Sequence, residues 1–184
     1  MNTSTLNSVL LATALSVFSI EATAYSDRPA YFDLNTDHKI VVADQLKSHQ
    51  GTRLYLQEGS ITAGNKVFEN EPYCYFRVDR NESEQEKPVV IEFGEFDVTS
   101  VTNRRHFTMT TTDSPLQVAS GGGFSFLGGG GSQYTLATHI SLQSANQPEV
   151  LSLNCAIWAD PRERRHLSMQ EIENALGDLV RIRT

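Results

Sequence analysis

The sequence predicts a mainly β fold: a single-domain β-sandwich or partly closed β-barrel with one short helix near the C-terminus. Several segments alternate apolar and polar side chains with period two, which is typical of strands with one buried face. Short clusters of glycine, asparagine and serine separate these segments, as turns do. The two cysteines, Cys74 and Cys155, each lie within such a segment on its apolar side. We therefore expect both thiols inside the β domain.

Residues 1–24 predict a secretion signal. Residues 9–20 form a mainly apolar stretch of suitable length, and Ala22 and Ala24 are small residues at the two positions that a signal peptidase recognises. The alternative interpretation is a buried apolar helix, because the first eight residues carry no Lys or Arg. The stretch is shorter than the roughly 20 residues that a membrane span needs. We expect cleavage near Ala24, a mature chain that begins near Tyr25, and no transmembrane span in it.

Export and an even cysteine count together predict a disulfide between Cys74 and Cys155. A bridge that closes so long a loop stabilises a fold by about 4 to 5 kcal/mol in the chain-entropy model. A reactive thiol pair is the alternative, but it favours a Cys-x-x-Cys spacing that this chain lacks. The pattern therefore favours a structural bridge, either across a sandwich or between neighbouring strands.

The mature chain divides into a lead-in and a larger domain. Residues 25–50 are polar and weakly patterned, with one candidate strand at 39–43, so we expect this lead-in to pack only in part. Residues 51–184 are predicted to form the disulfide-linked β domain. Its first strands are indicated at 52–57 and 73–78, where alternation places Cys74 on the inner face.

The middle of the chain adds further strands around one polar segment. Residues 79–87 are almost entirely polar, which predicts an exposed hairpin loop. Strands are expected at 88–93 and 96–98, with Gly94 as the bend between them. The threonine-rich segment that begins with 105–110 predicts another strand, since β-branched side chains suit a pleated surface.

A glycine-rich segment, residues 120–132, surrounds three large apolar side chains: Phe124, Phe126 and Leu127. Glycine arms lose backbone entropy on ordering and bury no side chain. The segment is therefore either an ordinary strand between flexible linkers or an exposed apolar tip. An exposed tip would suit the groove of a partner or a membrane surface.

The last third of the chain predicts two strands and the helix. Residues 134–142 and 151–157 alternate with period two, and His139 is expected to point toward solvent from the first of them. Ser168 and Glu171 form a capping box, with apolar residues on both sides, so a helix should begin there.

Composition and motifs argue against several kinds of function. The chain has a net charge of −7 with its basic residues spread out, so nucleic acid is not an expected partner. No nucleophile elbow, zinc-binding helix motif or phosphate loop occurs, and we predict no metal, cofactor or catalytic residue. Acid–base chemistry by Glu69 with Glu71, by Glu92 with Glu95, or by His166 is the alternative to ordinary surface residues.

A set of short segments is spread over most of the mature chain: 53–57, 72–76, 94–99, 147–150, 153–155, 167–168 and 175–177. Together they resemble small exported proteins of Gram-negative bacteria for which no activity is assigned. The similarity contains no catalytic motif, and it implies a periplasmic location.

A second similarity is to the periplasmic lysozyme inhibitors, small β domains whose binding loop carries a Ser-Gly-x-x-Tyr type motif. Residues 130–134 are the nearest match, with glycine where the motif has serine. The resemblance implies that Ser132 and Tyr134 would lie in a loop that blocks the active site of an enzyme.

These observations predict a non-catalytic exported module that binds an envelope protein or ligand, still to be identified, in the periplasm. The candidate partner-binding residues are Phe124, Phe126, Leu127, Ser132 and Tyr134. Two alternatives stay open at this point. One is a lysozyme-inhibitor-like protein, and the other is a hydrolase that acts on envelope material.

Overall fold

The computed structural model describes residues 28–48, 50–109, 132–159 and 165–184. The prediction of a mainly β fold with one short helix is confirmed for this part of the chain. The strands are β1 (Lys39–Val42), β2 (Leu46–Lys47), β3 (Arg53–Gln57), β4 (Ser60–Thr62), β5 (Tyr73–Val78), β6 (Val90–Ile91), β7 (Gly94–Met109), β8 (Ser132–Gln143), β9 (Val150–Ala159) and β10 (Val180–Arg183), and the helix is α1 (Met169–Leu176).

Eight of these strands form one antiparallel sheet in the order β10-β1-β7-β8-β9-β5-β3-β4. The sheet curls into a half-barrel, so the partly closed barrel is the architecture adopted, of the two that the sequence left open. β2 and β6 form a separate two-stranded ribbon. We call the face of the large sheet that carries the core the inner face, and the opposite one the outer face.

The lead-in contributes more to the core than its weak pattern indicates. β1 pairs with β10 on one side and with β7 on the other, so it lies within the large sheet rather than beside it. Five apolar residues of this segment are buried: Ala30, Leu34, Ile40, Val42 and Leu46. A strand of four residues is too short to produce a strong alternation, yet pairing on both sides is enough to bury its apolar side chains.

The polar segment 79–87 is not a hairpin loop. β5, which precedes it, pairs with β3 and β9, whereas β6, which follows it, pairs with β2. The segment therefore connects the large sheet to the small ribbon, and most of its residues are exposed. Gly94 has a φ of 150° where β7 begins, which fits the predicted bend. From there β7 runs unbroken to Met109, so two predicted strands are one.

The predicted disulfide is confirmed. Cys74 on β5 and Cys155 on β9 are directly opposite each other on neighbouring strands, with 4.0 Å between their Cα atoms. Both residues are completely buried on the inner face. The bridge therefore links two adjacent strands within the core.

Helix α1 covers the inner face and begins where the capping box predicts. Ser168 Oγ accepts a hydrogen bond from the backbone N–H of Glu171, whose carboxylate accepts one from the Ser168 N–H. Ile172, Ala175 and Leu176 are buried against the sheet. Within the described residues, no helix is both long and apolar enough to cross a bilayer.

Two glycines join the end of α1 to the turn between β3 and β4. Gly177 (φ 58°) ends the helix and Gly59 (φ 70°) lies in the turn, and a Cβ on Gly177 would overlap the Cα of Gly59. The backbone N–H of Gly59 also donates to the carbonyl of Ala175 at 3.1 Å. The positive φ angles and the close backbone approach both require glycine here.

Candidate functional site

The partner-binding residues predicted from sequence are only partly within the described chain. Phe124, Phe126 and Leu127 lie outside it, so the apolar tip stays a prediction. Ser132 is the first residue of β8. Tyr134 is half-buried on the same strand, with the guanidinium carbon of Arg105 at 4.1 Å from its ring centroid.

A different set of residues converges on the outer face of the sheet. Alternation along each strand sends every second side chain there, and the register aligns these side chains across strands. One such row runs from Tyr55 on β3 through Tyr75 on β5 and Asn154 on β9 to His139 on β8. Tyr73 lies two residues from Tyr75 on β5 and therefore on the same face.

The three tyrosines line a cavity of about 400 Å³ together with two charged residues and Trp158 of β9. The ring centroids of Tyr55 and Tyr75 are 5.3 Å apart, and those of Tyr55 and Tyr73 are 6.5 Å apart. We call this cavity the tyrosine groove and define it by six residues. They are Arg53, Tyr55, Glu69, Tyr73, Tyr75 and Trp158.

The position of Tyr55 depends on a close approach to Gly64. A Cβ on Gly64 would be 2.9 Å from Cε2 of Tyr55, so a side chain there would displace the ring. A second cavity of about 450 Å³ shares Arg53, Tyr55 and Gly64 with the tyrosine groove. Both volumes are within the range of about 300 to 1,000 Å³ that is typical of small-molecule sites.

Three exposed arginines lie on the outer face, and one of them, Arg53, lines the groove. The guanidinium carbon of Arg53 is 5.0 Å from the centroid of the Tyr75 ring, and its Nη1 donates to the Tyr55 hydroxyl at 3.2 Å. Arg77 on β5 is the register partner of Arg53 on β3. Arg104 lies on β7. Within the described chain, none of the three forms an ion pair with a carboxylate.

These charges affect the pKa values of the tyrosines. Burial raises the pKa of Tyr75, and the positive charges of Arg53, Arg104 and Arg77 each oppose that rise. The pKa of Tyr73 is raised by burial and, to a smaller extent, by the charge of Glu69. Burial alone raises the pKa of Glu69. The groove thus has positive charge around Tyr75 and one carboxylate near Tyr73.

The expectation that His139 points into solvent is wrong. His139 does face away from the core, yet it is only 8% exposed, because β8 lies between β7 and β9 and neighbouring side chains shield it. Its Nδ1–H donates to Oδ1 of Asn154 at 2.5 Å, and Nδ2 of Asn154 donates to Oγ of Ser152 at 3.0 Å.

The same network continues from the other ring nitrogen of His139. Oγ of Ser141 is 3.4 Å from Nε2, and Oγ of Ser100 donates to Oγ of Ser141 at 2.9 Å. Burial lowers the pKa of His139, and the charges of Arg104 and Arg77 lower it further, whereas the hydrogen bond that His139 donates to Asn154 raises it. With the ring proton on Nδ1, Nε2 is left to accept a hydrogen bond from the Ser141 hydroxyl.

The acidic pairs considered from sequence do not form two-carboxylate sites. Glu69 lines the tyrosine groove, whereas Glu71 lines a separate cavity of about 530 Å³ beside α1. Glu92 accepts hydrogen bonds from the side-chain amide of Gln45. Glu95 forms an ion pair with Lys39, with 3.1 Å between Oε2 and Nζ. Each carboxylate therefore has its own surroundings.

His166 and the cavity beside α1 are the two remaining places with ionisable side chains. The ring of His166 packs edge-on against Tyr31, with 5.1 Å between centroids, and burial lowers its pKa. The cavity beside α1 is lined by several carboxylates, yet no group of three or more His, Cys, Asp or Glu residues in the described ranges is arranged to hold a metal ion.

Sequence reasoning missed the tyrosine groove, although a signal for it was present. Tyr55, Tyr73 and Tyr75 occupy alternate positions in two predicted strands, on the side opposite the leucines and Cys74. Aromatic residues on the polar side of two strands indicate a surface that binds something. Comparison of the chain with protein-family models, with curated proteins and with solved structures found no match.

Proposed function

We propose that this protein is an exported, non-catalytic binding module that works in the periplasm and holds an envelope ligand in the tyrosine groove. The observation that carries the proposal is the groove itself, where aromatic rings surround about 400 Å³ of space beside an arginine with no carboxylate partner in the described chain. A disulfide is typical of an oxidising compartment and supports export.

The energetics of the outer face favour binding over a purely structural role. Like charges directly opposite each other on neighbouring strands destabilise a sheet, and Arg53 is opposite Arg77. Tyr55, Tyr75 and Trp158 are half-buried, so part of each ring stays in contact with water. A ligand that covers the rings and neutralises the arginines would relieve both costs.

Tryptophan fluorescence provides a direct test, because Trp158 is the only tryptophan in the chain and lines the groove. The protein is titrated with three envelope fractions: peptidoglycan fragments, lipopolysaccharide and periplasmic protein. We expect at least one fraction to change the emission saturably. The change should be lost in Tyr55→Ala and Tyr75→Ala and kept in Phe93→Ala, a control at an aromatic residue that is 73% exposed and remote from the groove.

Two results would contradict the proposal. One is an emission that no fraction alters. The other is unchanged binding in both tyrosine variants, which would place the contact elsewhere, for example at the apolar tip. That second surface has its own test, in which Phe124, Phe126 and Leu127 are replaced by serine. Capture of a cross-linked partner from periplasm should then disappear if the tip is the binding site.

A second candidate function is hydrolysis, and the order Ser141, His139, Asn154 on the outer face favours it. A hydroxyl, an imidazole and a group that orients the imidazole are the parts of a nucleophilic triad. A fluorophosphonate tests the idea: Oγ of Ser141 would bond to phosphorus, fluoride would leave, and the serine proton would pass to Nε2 of His139. This candidate requires a mass adduct that Ser141→Ala abolishes, whereas the absence of an adduct rules it out.

A further inference from the structure

Three arginines on the outer face contrast with the negative charge of the whole chain. The protein has a net charge of −7, yet Arg53, Arg77 and Arg104 all lie on this face, and in the part of the chain that the structure describes no carboxylate forms an ion pair with them. A guanidinium matches the two oxygens of a carboxylate through a pair of parallel hydrogen bonds. The local charge therefore complements an anionic ligand.

The rest of the groove complements a sugar. One face of a pyranose ring presents C–H groups that pack flat on an aromatic ring, and the rim of the sugar carries hydroxyls that need hydrogen-bonding partners. Tyr55 and Tyr75 supply two neighbouring rings, 5.3 Å apart. Their hydroxyls and the carboxylate of Glu69 supply polar groups of both kinds, since a phenol donates and a carboxylate accepts.

The position of the groove argues against a peptide. A peptide that adds to a sheet as an extra strand needs a free edge. β3 pairs with β5 along 53–56 and with β4 along 55–57, so both sides of the strand are occupied at Tyr55. The groove lies on the face of these strands, where the backbone groups are already used in the sheet. Recognition there has to rely on side chains.

We propose that the tyrosine groove binds an acidic saccharide, a sugar chain that bears carboxylates, with sugar rings on Tyr55 and Tyr75 and a carboxylate paired with Arg53 and Arg77. This inference rests on the proposed binding function and specifies its ligand. The adjoining cavity of about 450 Å³ shares Arg53 and Tyr55 with the groove. Arg53 is therefore accessible from both cavities, and the proposed sugar chain would extend from one cavity into the other.

The test compares three probes of matched length on the intact protein: hexagalacturonate, cellohexaose and hexathymidylate. Binding is followed by Trp158 fluorescence and by calorimetry. We expect hexagalacturonate to bind at least about tenfold more tightly than cellohexaose at low salt. The difference should shrink at high salt, because exposed charges are screened.

Arginine variants identify the charged subsite. Arg53→Gln should abolish the preference for hexagalacturonate, and Arg53→Lys should restore only part of it, because lysine keeps the charge and loses the planar fork. The matched control is Arg183→Gln on β10, which makes the same change of charge at an exposed position far from the groove in the strand order. Thermal melting verifies that each variant is folded.

The outcomes separate this inference from the proposed function. Equal binding of cellohexaose and hexagalacturonate overturns the acidic part, and tighter binding of hexathymidylate overturns the choice of a saccharide. If no probe binds while an envelope fraction still alters Trp158 emission, the saccharide is wrong and the binding function stands. If neither probes nor fractions bind, both proposals fall.

Discussion

Alternate residues of β5 illustrate two different uses of one strand. Cys74 and Phe76 point inward and are completely buried in the core, whereas Tyr75 and Arg77 point outward into the groove and its charged margin. The inward residues are apolar or cross-linked, as the stability of a small domain requires. The outward residues are aromatic and cationic, and Tyr75 packs against a smaller buried cluster, separate from the main core, that contains Tyr73.

The difference teaches where function is to be sought in this protein. A sheet whose outer face only met water would be expected to carry small or oppositely charged pairs there. This outer face instead carries tyrosines and arginines on neighbouring strands. Substitutions on the inner face should therefore change mainly stability, and substitutions of the outward tyrosines should change mainly binding.

The largest effect is expected from the inner face, on removal of the disulfide. Cys74→Ala with Cys155→Ala should lower the free energy of unfolding by about 4 to 5 kcal/mol, because the unfolded chain regains the freedom of a loop of 81 residues. Guanidinium denaturation measures the loss, and the wild type under reducing conditions should match it. Ligand binding by the folded variant should persist. A loss below about 1 kcal/mol would show that the bridge is not a main source of stability.

Neighbouring aromatic residues of β5 provide the sharpest contrast. Phe76→Ala removes a fully buried ring and should cost about 3 to 5 kcal/mol. Tyr75→Ala removes a half-buried ring and should cost only about 1 kcal/mol, yet it should abolish binding in the fluorescence titration. Equal losses of stability would mean that the two faces are not separated as described.

A smaller effect is expected at the start of α1. Ser168→Ala removes the hydroxyl that accepts from the Glu171 N–H and should cost about 1 kcal/mol, with no change in binding. The hydrogen bond from the Arg165 guanidinium, together with those from Ser168, lowers the pKa of Glu171 to about 2. NMR titration of the Glu171 carboxyl should therefore show a higher pKa in the variant. An unchanged pKa would contradict the capping geometry.

The smallest effect concerns the pH dependence of the outer face. The pKa of His139 is lowered from 6.5 by burial and by Arg104 and Arg77, so the unfolded state takes up the proton first as the pH falls below 6.5. Stability should thus be full above pH 6.5 and decline below it, and His139→Gln should reduce the decline.

The remaining decline in that variant has an identified source. Burial also lowers the pKa of His166, which acts in the same direction. Urea denaturation of His139→Gln, His166→Gln and the double variant between pH 7.5 and pH 5 separates the two contributions; these pH limits are about one unit or more on either side of the ordinary histidine pKa. If His139→Gln keeps the full decline, the imidazole is not held neutral by its surroundings.

The features that depend on local pattern were predictable from the sequence. Period-two alternation indicated the strands that hold Cys74 and Cys155, and the Ser168 to Glu171 box indicated where the helix begins. Both depend on interactions within a few residues or on one buried face.

The features that depend on which strands are neighbours were not predictable. Alternation assigned His139 to the outer face, but its burial results from β7 and β9 on either side. For the same reason residues 79–87 were misassigned as a hairpin, because local polarity cannot tell that β5 and β6 belong to different sheets. The tyrosine groove needed the register of β3 against β5, which no local pattern contains.

The contact between Gly59 and Gly177 has a consequence for how the groove responds to a ligand. The turn that contains Gly59 joins β3, which carries Tyr55 and Arg53, to the edge strand β4. The backbone of this turn is hydrogen-bonded to the end of α1. One wall of the groove is thus anchored from the opposite side of the sheet. We therefore expect a ligand to meet a wall whose turn is already held in place by the C-terminal helix, so that little ordering of β3 is needed on binding.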